Sequence, residues 1–221
     1  MSIPISKTIK YDTKVPYSIL ILCLFYLVGI IGILLPIHPD FILLTPFNLI
    51  LSLVLVFWNH PVWDRFFPWF MVITYVWGFM AEVIGVQTGL IFGTYVYGPV
   101  LGWKLWDTPL LIGANWLMLT YCAGVVVNFM LKQTHWLLKG ILGAGLMVGL
   151  DWLIEPVAIQ YNFWQWEEVK VPLQNYLGWF LIALPLQWLM AFRYGQIRNK
   201  VALALFILQV LFFLILGIFG R

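Results

Sequence analysis

The chain has 221 residues, of which 63% are hydrophobic, 18% aromatic and only 10% charged, with a net charge of +3. Soluble domains carry roughly 25% charged residues, so water is not the main solvent of this chain, and its small, dispersed charge leaves no nucleic-acid footprint. Cys23 and Cys122 both fall in apolar stretches, where they act as small hydrophobes and not as a disulfide framework.

A bilayer core takes about 20 mostly apolar residues per helix, and the sequence predicts seven such spans. They cover Tyr17–Leu35, Phe41–Trp58, Pro68–Ile84, Leu110–Leu131, Gly140–Ala158, Tyr176–Phe192 and Val201–Gly220. The first run follows Lys7, Lys10 and Lys14, as a secretory signal would. It is longer than the apolar core of a signal, about 7–15 residues, and reaches Leu34-Leu35-Pro36 without a small-residue cleavage site, so it is read as a span. The fold class expected is an all-α polytopic transmembrane helix bundle. Residues 1–16 would form a cytoplasmic tail and 17–221 a single integral membrane domain.

Cytoplasmic loops are enriched in Lys and Arg. With the N-terminus inside, Lys7, Lys10, Lys14, Arg65, Lys132, Lys139, Arg193, Arg198 and Lys200 fall on the cytoplasmic side, against Lys104, Lys170 and Arg221 outside. The expected location is the bacterial inner membrane, N-terminus in, with membrane lipid as the surrounding partner.

Two long connections, residues 85–109 and 159–175, then lie on the same external side, each after a helix that carries acids. The first contains Phe92-Gly93-Thr94-Tyr95-Val96-Tyr97-Gly98; the second contains Phe163-Trp164-Gln165-Trp166. The helices that follow carry Asn115-Trp116 and, after Asn175, Gly178-Trp179. We read a weak duplication of a helix–aromatic loop–helix unit, repeated in one direction. The competing reading is a pair of aromatic belts at the membrane interface, where Trp and Tyr are enriched in any case.

Glu82, Asp151 and Glu155 are the acidic residues inside the predicted spans. An acid at a helix centre costs roughly 2.5–3.5 kcal/mol on insertion scales, so each must be neutral, paired or near water. Asp151 and Glu155 are four apart, on one helix face, and Pro156 frees a backbone carbonyl of the preceding turn. A purely structural role would have them bonding helices together, with Asn115, Gln187 or Tyr121 as partners, but such bonds contribute little in membranes. Burial disfavours a carboxyl's charged form and keeps a protonated acid available near neutral pH, which is what Brønsted acid catalysis needs.

The chain holds 13 Trp, 17 Phe and 10 Tyr, and most of these are expected to pack or to sit at the interface. A ring face also attracts a cation, and the topology brings Trp77, Tyr95, Tyr97, Trp116, Trp152, Trp164, Trp166 and Trp179 towards the acids. Other chemistries lack their residues. His38, His60 and His135 are scattered, so no metal cluster is expected; Gly143-Ala144-Gly145 with Gly149 lies inside a span and serves close helix approach instead of nucleotide binding. No lysine lies deep in the seventh helix for a retinal Schiff base. Acid–base chemistry without a cofactor or metal remains.

Glu82-x-x-Gly85, Phe92-Gly93-x-Tyr95-x-Tyr97, Asp151-x-x-x-Glu155-Pro156-Val157-Ala158, Trp164-x-Trp166 and Val171-Pro172-x-x-Asn175-x-x-Gly178-Trp179 together resemble the bacterial and archaeal carotenoid biosynthesis membrane proteins of the carotenoid 1,2-hydratase (CruF) type. The similarity covers about Tyr75 to Leu189; family members often have Asp-Pro where this chain has Glu155-Pro156. The resemblance implies a carotenoid substrate and addition of water to the terminal C1–C2 double bond of an acyclic end, as in lycopene or a monocyclic carotene, without a cofactor. Asp151, Glu155 and Glu82 would be the catalytic carboxyls. Tyr95, Tyr97, Asn115, Trp116, Trp164, Trp166, Asn175 and Trp179 would line the substrate site. The alternatives are a membrane lycopene cyclase, which shares the protonation step, and a non-catalytic carotenoid-binding or transport protein.

Overall fold

The computed structural model describes residues 13–35, 38–168 and 170–220. Its helices are α1 (Lys14–Leu34), α2 (Thr45–Trp58), α3 (Phe67–Thr88), α4 (Leu111–Met130), α5 (Trp136–Gln160), α6 (Leu173–Tyr194) and α7 (Lys200–Phe219), and a 3₁₀ turn, Pro39–Leu44, leads into α2. Among the described residues, seven helical stretches are long and apolar enough to cross a membrane. The molecule is thus an all-α polytopic bundle. Of the expected tail, residues 1–12 lie outside the described residues, as do Lys7, Lys10 and Arg221; Lys14 to Pro16 already belong to α1.

The predicted boundaries shift where local chemistry allows. The second span opens as a tighter 3₁₀ turn because Pro39 occupies its start and the His38 ring accepts the Asp40 N–H. α5 begins at Trp136, earlier than the apolar run, because the His135 side chain accepts the Leu137 N–H and caps it. Lys139, expected in a loop, is consequently inside α5. It is buried, with Nζ donating to Asn128 Oδ1 (3.3 Å) and to the Gly195 carbonyl (2.6 Å) at the end of α6.

α4 is the axle of the bundle. Trp116 to Val125 are all buried, and the helix packs against α3, α5, α6 and α7. Residues such as Leu20, Val54, Trp69, Leu181 and Phe219 form an exposed apolar outer surface, as a lipid-facing protein requires. Gly143 and Ala144 do bring helices together: a Cβ on Gly143 would meet Gln187 of α6. Gly145 and Gly149 have open space instead.

At the end opposite the long loops, the ring of His60 stacks on Phe67 (3.6 Å, 9°) and pairs with the Tyr121 hydroxyl at 2.7 Å. Asn199, which caps α7, donates to the same hydroxyl. Burial pushes the His60 pKa down to about 4, so this clamp between α2, α4 and α7 is neutral.

The long loops are not simple belts. Tyr95–Tyr97 (β1) and Trp164–Trp166 (β4) pair antiparallel in the register Tyr95↔Trp166, Val96↔Gln165, Tyr97↔Trp164. The ladder is extended by Gly98 N–H to the Phe163 carbonyl (2.8 Å) and Glu167 N–H to the Thr94 carbonyl (3.0 Å). A second small pair, β2 (Lys104–Leu105) and β3 (Thr108–Pro109), folds the rest of the first loop. Gly93, at φ 102°, turns the chain into β1 where a Cβ would press on Pro172. The register has the symmetry of a twofold axis through Val96↔Gln165: exchanging α3–β1–α4 with α5–β4–α6 exchanges the two outer pairs.

Orientation in the membrane is tested by cysteine labelling, and the burial of Lys139 makes exposed Lys132 the better reporter of its side. We propose that the β1–β4 end is external. An impermeant thiol reagent on intact cells should then modify Lys170→Cys and spare Lys132→Cys; the reverse pattern overturns that orientation.

Candidate active site

The paired strands roof a small polar cavity. Glu82 descends from α3, Asp151 and Glu155 from α5, and all three are at least 98% buried. The cavity wall contains these carboxyls together with Tyr95, Tyr97, Asn115, Trp116, Trp164, Trp166, Asn175 and Trp179. The three acids and the eight lining residues expected with them therefore meet in one place. Sequence reasoning missed Ile112 and Ile154, which complete the wall; each lies three residues from a polar wall residue on its own helix, Asn115 and Asp151, and that spacing was the available signal.

Period-two alternation explains how the roof feeds the site. Tyr95 and Tyr97 point inward while Val96 between them is exposed, and Trp164 and Trp166 do the same around exposed Gln165. The inward side chains donate to the carboxyl of their own unit. Glu82 accepts from Tyr95 Oη (2.5 Å) and Tyr97 Oη (2.7 Å) on one oxygen, and from Trp116 Nε1 (3.0 Å) on the other. Glu155 accepts from Trp164 Nε1 (3.0 Å) and Trp166 Nε1 (2.9 Å) on one oxygen, and from Asn175 Nδ2 (3.1 Å) on the other. Each glutamate thus takes two donors from its following strand and one from its following helix.

Asp151 breaks the symmetry. It accepts one hydrogen bond, from Asn175 Nδ2 at 2.8 Å, and the same amide group bridges it to Glu155. Four residues before Glu82 the first unit has Gly78, whose missing side chain leaves room for the Trp116 ring. Trp116 in turn stacks on Trp179 of the other unit, with centroids 4.3 Å apart and planes at 20°. None of the three carboxyls is paired with a cation among the described residues. The cavity measures about 30 Å³, room for about one water molecule.

Two expectations need correction. Trp77 and Trp152 do not reach the site: Trp152 is 64% exposed because a residue adjacent to Asp151 on a helix points about 100° away, and Trp77 donates to the Ile182 carbonyl on the outer surface. Nor do Gln187 and Tyr121 serve the acids. Gln187 donates to the Thr120 carbonyl and Tyr121 pairs with His60, both deeper in the bundle. No group of His, Cys, Asp and Glu among the described residues could hold a metal ion.

Residues 41–220 match the sequence family described as carotenoid biosynthesis protein. The chain belongs to the carotenoid biosynthesis protein family. The matched stretch includes all three carboxyls and both roof strands. Over 152 residues the chain is 30% identical to the bisanhydrobacterioruberin hydratase of Haloarcula japonica, an alignment covering 65% of this chain and 50% of that protein. The chain thus spans about half the length of this curated relative. No solved structure matches it.

The packing of Gly78 on Trp116 gives a direct test of how the cage is held. Gly78→Ala places a methyl group into the indole and should destabilise the protein by about 1–3 kcal/mol. Thermal unfolding in detergent should show a lower midpoint, with altered tryptophan fluorescence; an unchanged midpoint would mean that the Trp116–Glu82 contact is not tightly packed.

Proposed function

We propose that this family member is a carotenoid 1,2-hydratase, adding water to the terminal C1–C2 double bond of an acyclic carotenoid end group such as that of lycopene or a monocyclic carotene. One observation carries the reading: three carboxyls, paired with no cation among the described residues, share a water-sized cavity walled by aromatic rings. Like charges in so small and dry a space cannot all ionise, so the cluster retains a proton. The hydratase relative supports the same reaction class.

The hydrogen bonds divide the roles. Glu82 and Glu155, each with three donors, are built to be acceptors, since several donors aimed at one carboxyl favour its anion. Asp151, with one donor, is the residue that carries the proton. Transfer of that proton to C2 uses the π pair to form a C–H bond and leaves a tertiary cation at C1. The outward face of the Trp116–Trp179 stack and the nearby carboxylate Glu82 stabilise it, a ring face in a desolvated site contributing about 2 kcal/mol or more. Water oriented by Glu155 adds to C1, and the proton it loses restores the carboxyl pair. Protons and water balance the reaction, so no metal or redox cofactor enters it.

Purified protein incubated with lycopene in detergent, without additions, should yield product heavier by one water, and turnover should survive EDTA and dialysis. Loss of turnover restored by a metal would contradict the mechanism. An isomeric product would indicate a cyclase, and unchanged lycopene a binding or transport protein. Asp151→Asn should lower turnover about 10²–10⁴-fold, the usual contribution of a general acid, while carotenoid binding persists. Glu82→Gln and Glu155→Gln should be impaired with residual activity. Near-normal turnover of Asp151→Asn beside inactive Glu82→Gln would move the donor to α3.

A further inference from the structure

Beside the carboxyl cavity lies a second and much larger chamber, of about 320 Å³, formed by α1, the 3₁₀ turn and α2, and α7 against α4 and α5. That volume falls in the range of small-molecule sites, roughly 300–1,000 Å³. Ile112, Asn115, Ile154 and Trp164 belong to both walls, so one partition separates the chamber from the carboxyls. The remaining lining is almost wholly apolar: Phe41, Leu111, Val157, Phe163 and Phe212 are representative.

Tyr26, Thr45, Asn48 and Gln209 interrupt it. Gln209, 97% buried, is the one polar residue in α7 after Lys200, and its Oε1 has no hydrogen-bond partner among the described residues; nor has Asn48 Oδ1, also in the chamber wall. An unpaired buried amide oxygen is destabilising, and a water held beside an apolar occupant would satisfy it. A few convergent polar atoms in an apolar wall are the usual composition of a ligand site and an unusual one for a packing defect.

The chamber also faces the lipid. Val28 of α1, Leu44 of the 3₁₀ turn and Phe47 of α2 line it and are exposed on the outer surface. Phe25 and Phe47 meet across this rim, ring centroids 5.9 Å apart. Such a pair is weakly held, a latch that thermal motion opens readily.

We infer that the chamber is the binding site for the unreacted isoprenoid chain of the substrate, which enters sideways from the bilayer between α1 and α2 while its end group passes the Ile112–Asn115–Ile154–Trp164 partition to the carboxyls. This rests on the hydratase reading for its chemistry but not for its binding. It assigns a role to α1, which lies outside the stretch shared with the family. It also explains how a long apolar molecule reaches a polar cavity that is roofed on its aqueous side: the route never leaves the lipid.

The test closes the mouth. In a Cys23→Ser background, which removes the exposed thiol, Phe25→Cys and Phe47→Cys are joined by a short cleavable bis-maleimide. Binding is read as lycopene retained per protein after gel filtration, separately from hydration. The inference predicts at least a tenfold fall in retained lycopene on cross-linking, full recovery on cleavage, and a similar fall for Val28→Trp, a lipid-facing change on which folding does not depend. Undiminished retention in the cross-linked protein and in Val28→Trp overturns it, as does failure of the unmodified protein to retain lycopene. Retention that depends on an open mouth, without any water added to the carotenoid, leaves the chamber standing and removes the hydratase reading alone.

Discussion

The constraint on which the rest of the structure depends is the burial of three carboxyl groups in one membrane-embedded cavity with no cation beside them among the described residues. An ion pair would have been the simple way to hold Glu82, Asp151 and Glu155 in the bundle. The fold instead supplies neutral donors, two phenols and three indoles plus one amide, from the strand and helix that follow each glutamate, and the β1–β4 pairing joins the two sets over one cavity. A salt bridge would fix carboxyls as anions, whereas neutral donors do not by themselves require it. The roof is therefore both the support of the site and its barrier to bulk water.

Near-symmetry and its failure divide the labour. The two glutamates have matching cages, each from the strand and the helix that follow. What differs is the residue one turn deeper: Gly78 in the first unit admits Trp116, and Asp151 in the second adds a carboxyl. Symmetry accounts for the strand register and for the matching glutamate cages, and Trp116 and Trp179 stack across the two units. The chemistry is assigned to the one position where the units disagree.

Much of the site was legible because acids in spans are rare and expensive. Glu82, Asp151 and Glu155 stood out for that reason, and helical period placed Asp151 and Glu155 on one face. The aromatic loops were visible as composition, but their strand pairing was not: β1 and β4 are three residues each and are separated by a whole helical unit, so no local pattern announces the partner. Interface belts have the same composition. Topology brings Trp77 and Trp152 to the level of the acids but does not set which face of the helix they occupy, and both look outward. The chamber went unread although its signals were present, Gln209 alone in α7 and Asn48 in α2, because a single amide in a span is also a common interhelical bond.

The central claim is that a buried carboxyl hands a solvent-derived proton to carbon before water adds. Turnover of lycopene in D₂O measures it most directly. Proton transfer to C2 predicts one non-exchangeable deuterium per hydrated end, on the carbon next to the new alcohol and on a single face, and none from Asp151→Asn. Hydroxylated product without carbon-bound deuterium would contradict the claim, because the oxygen would then have arrived by a route that does not pass through a protonated end group.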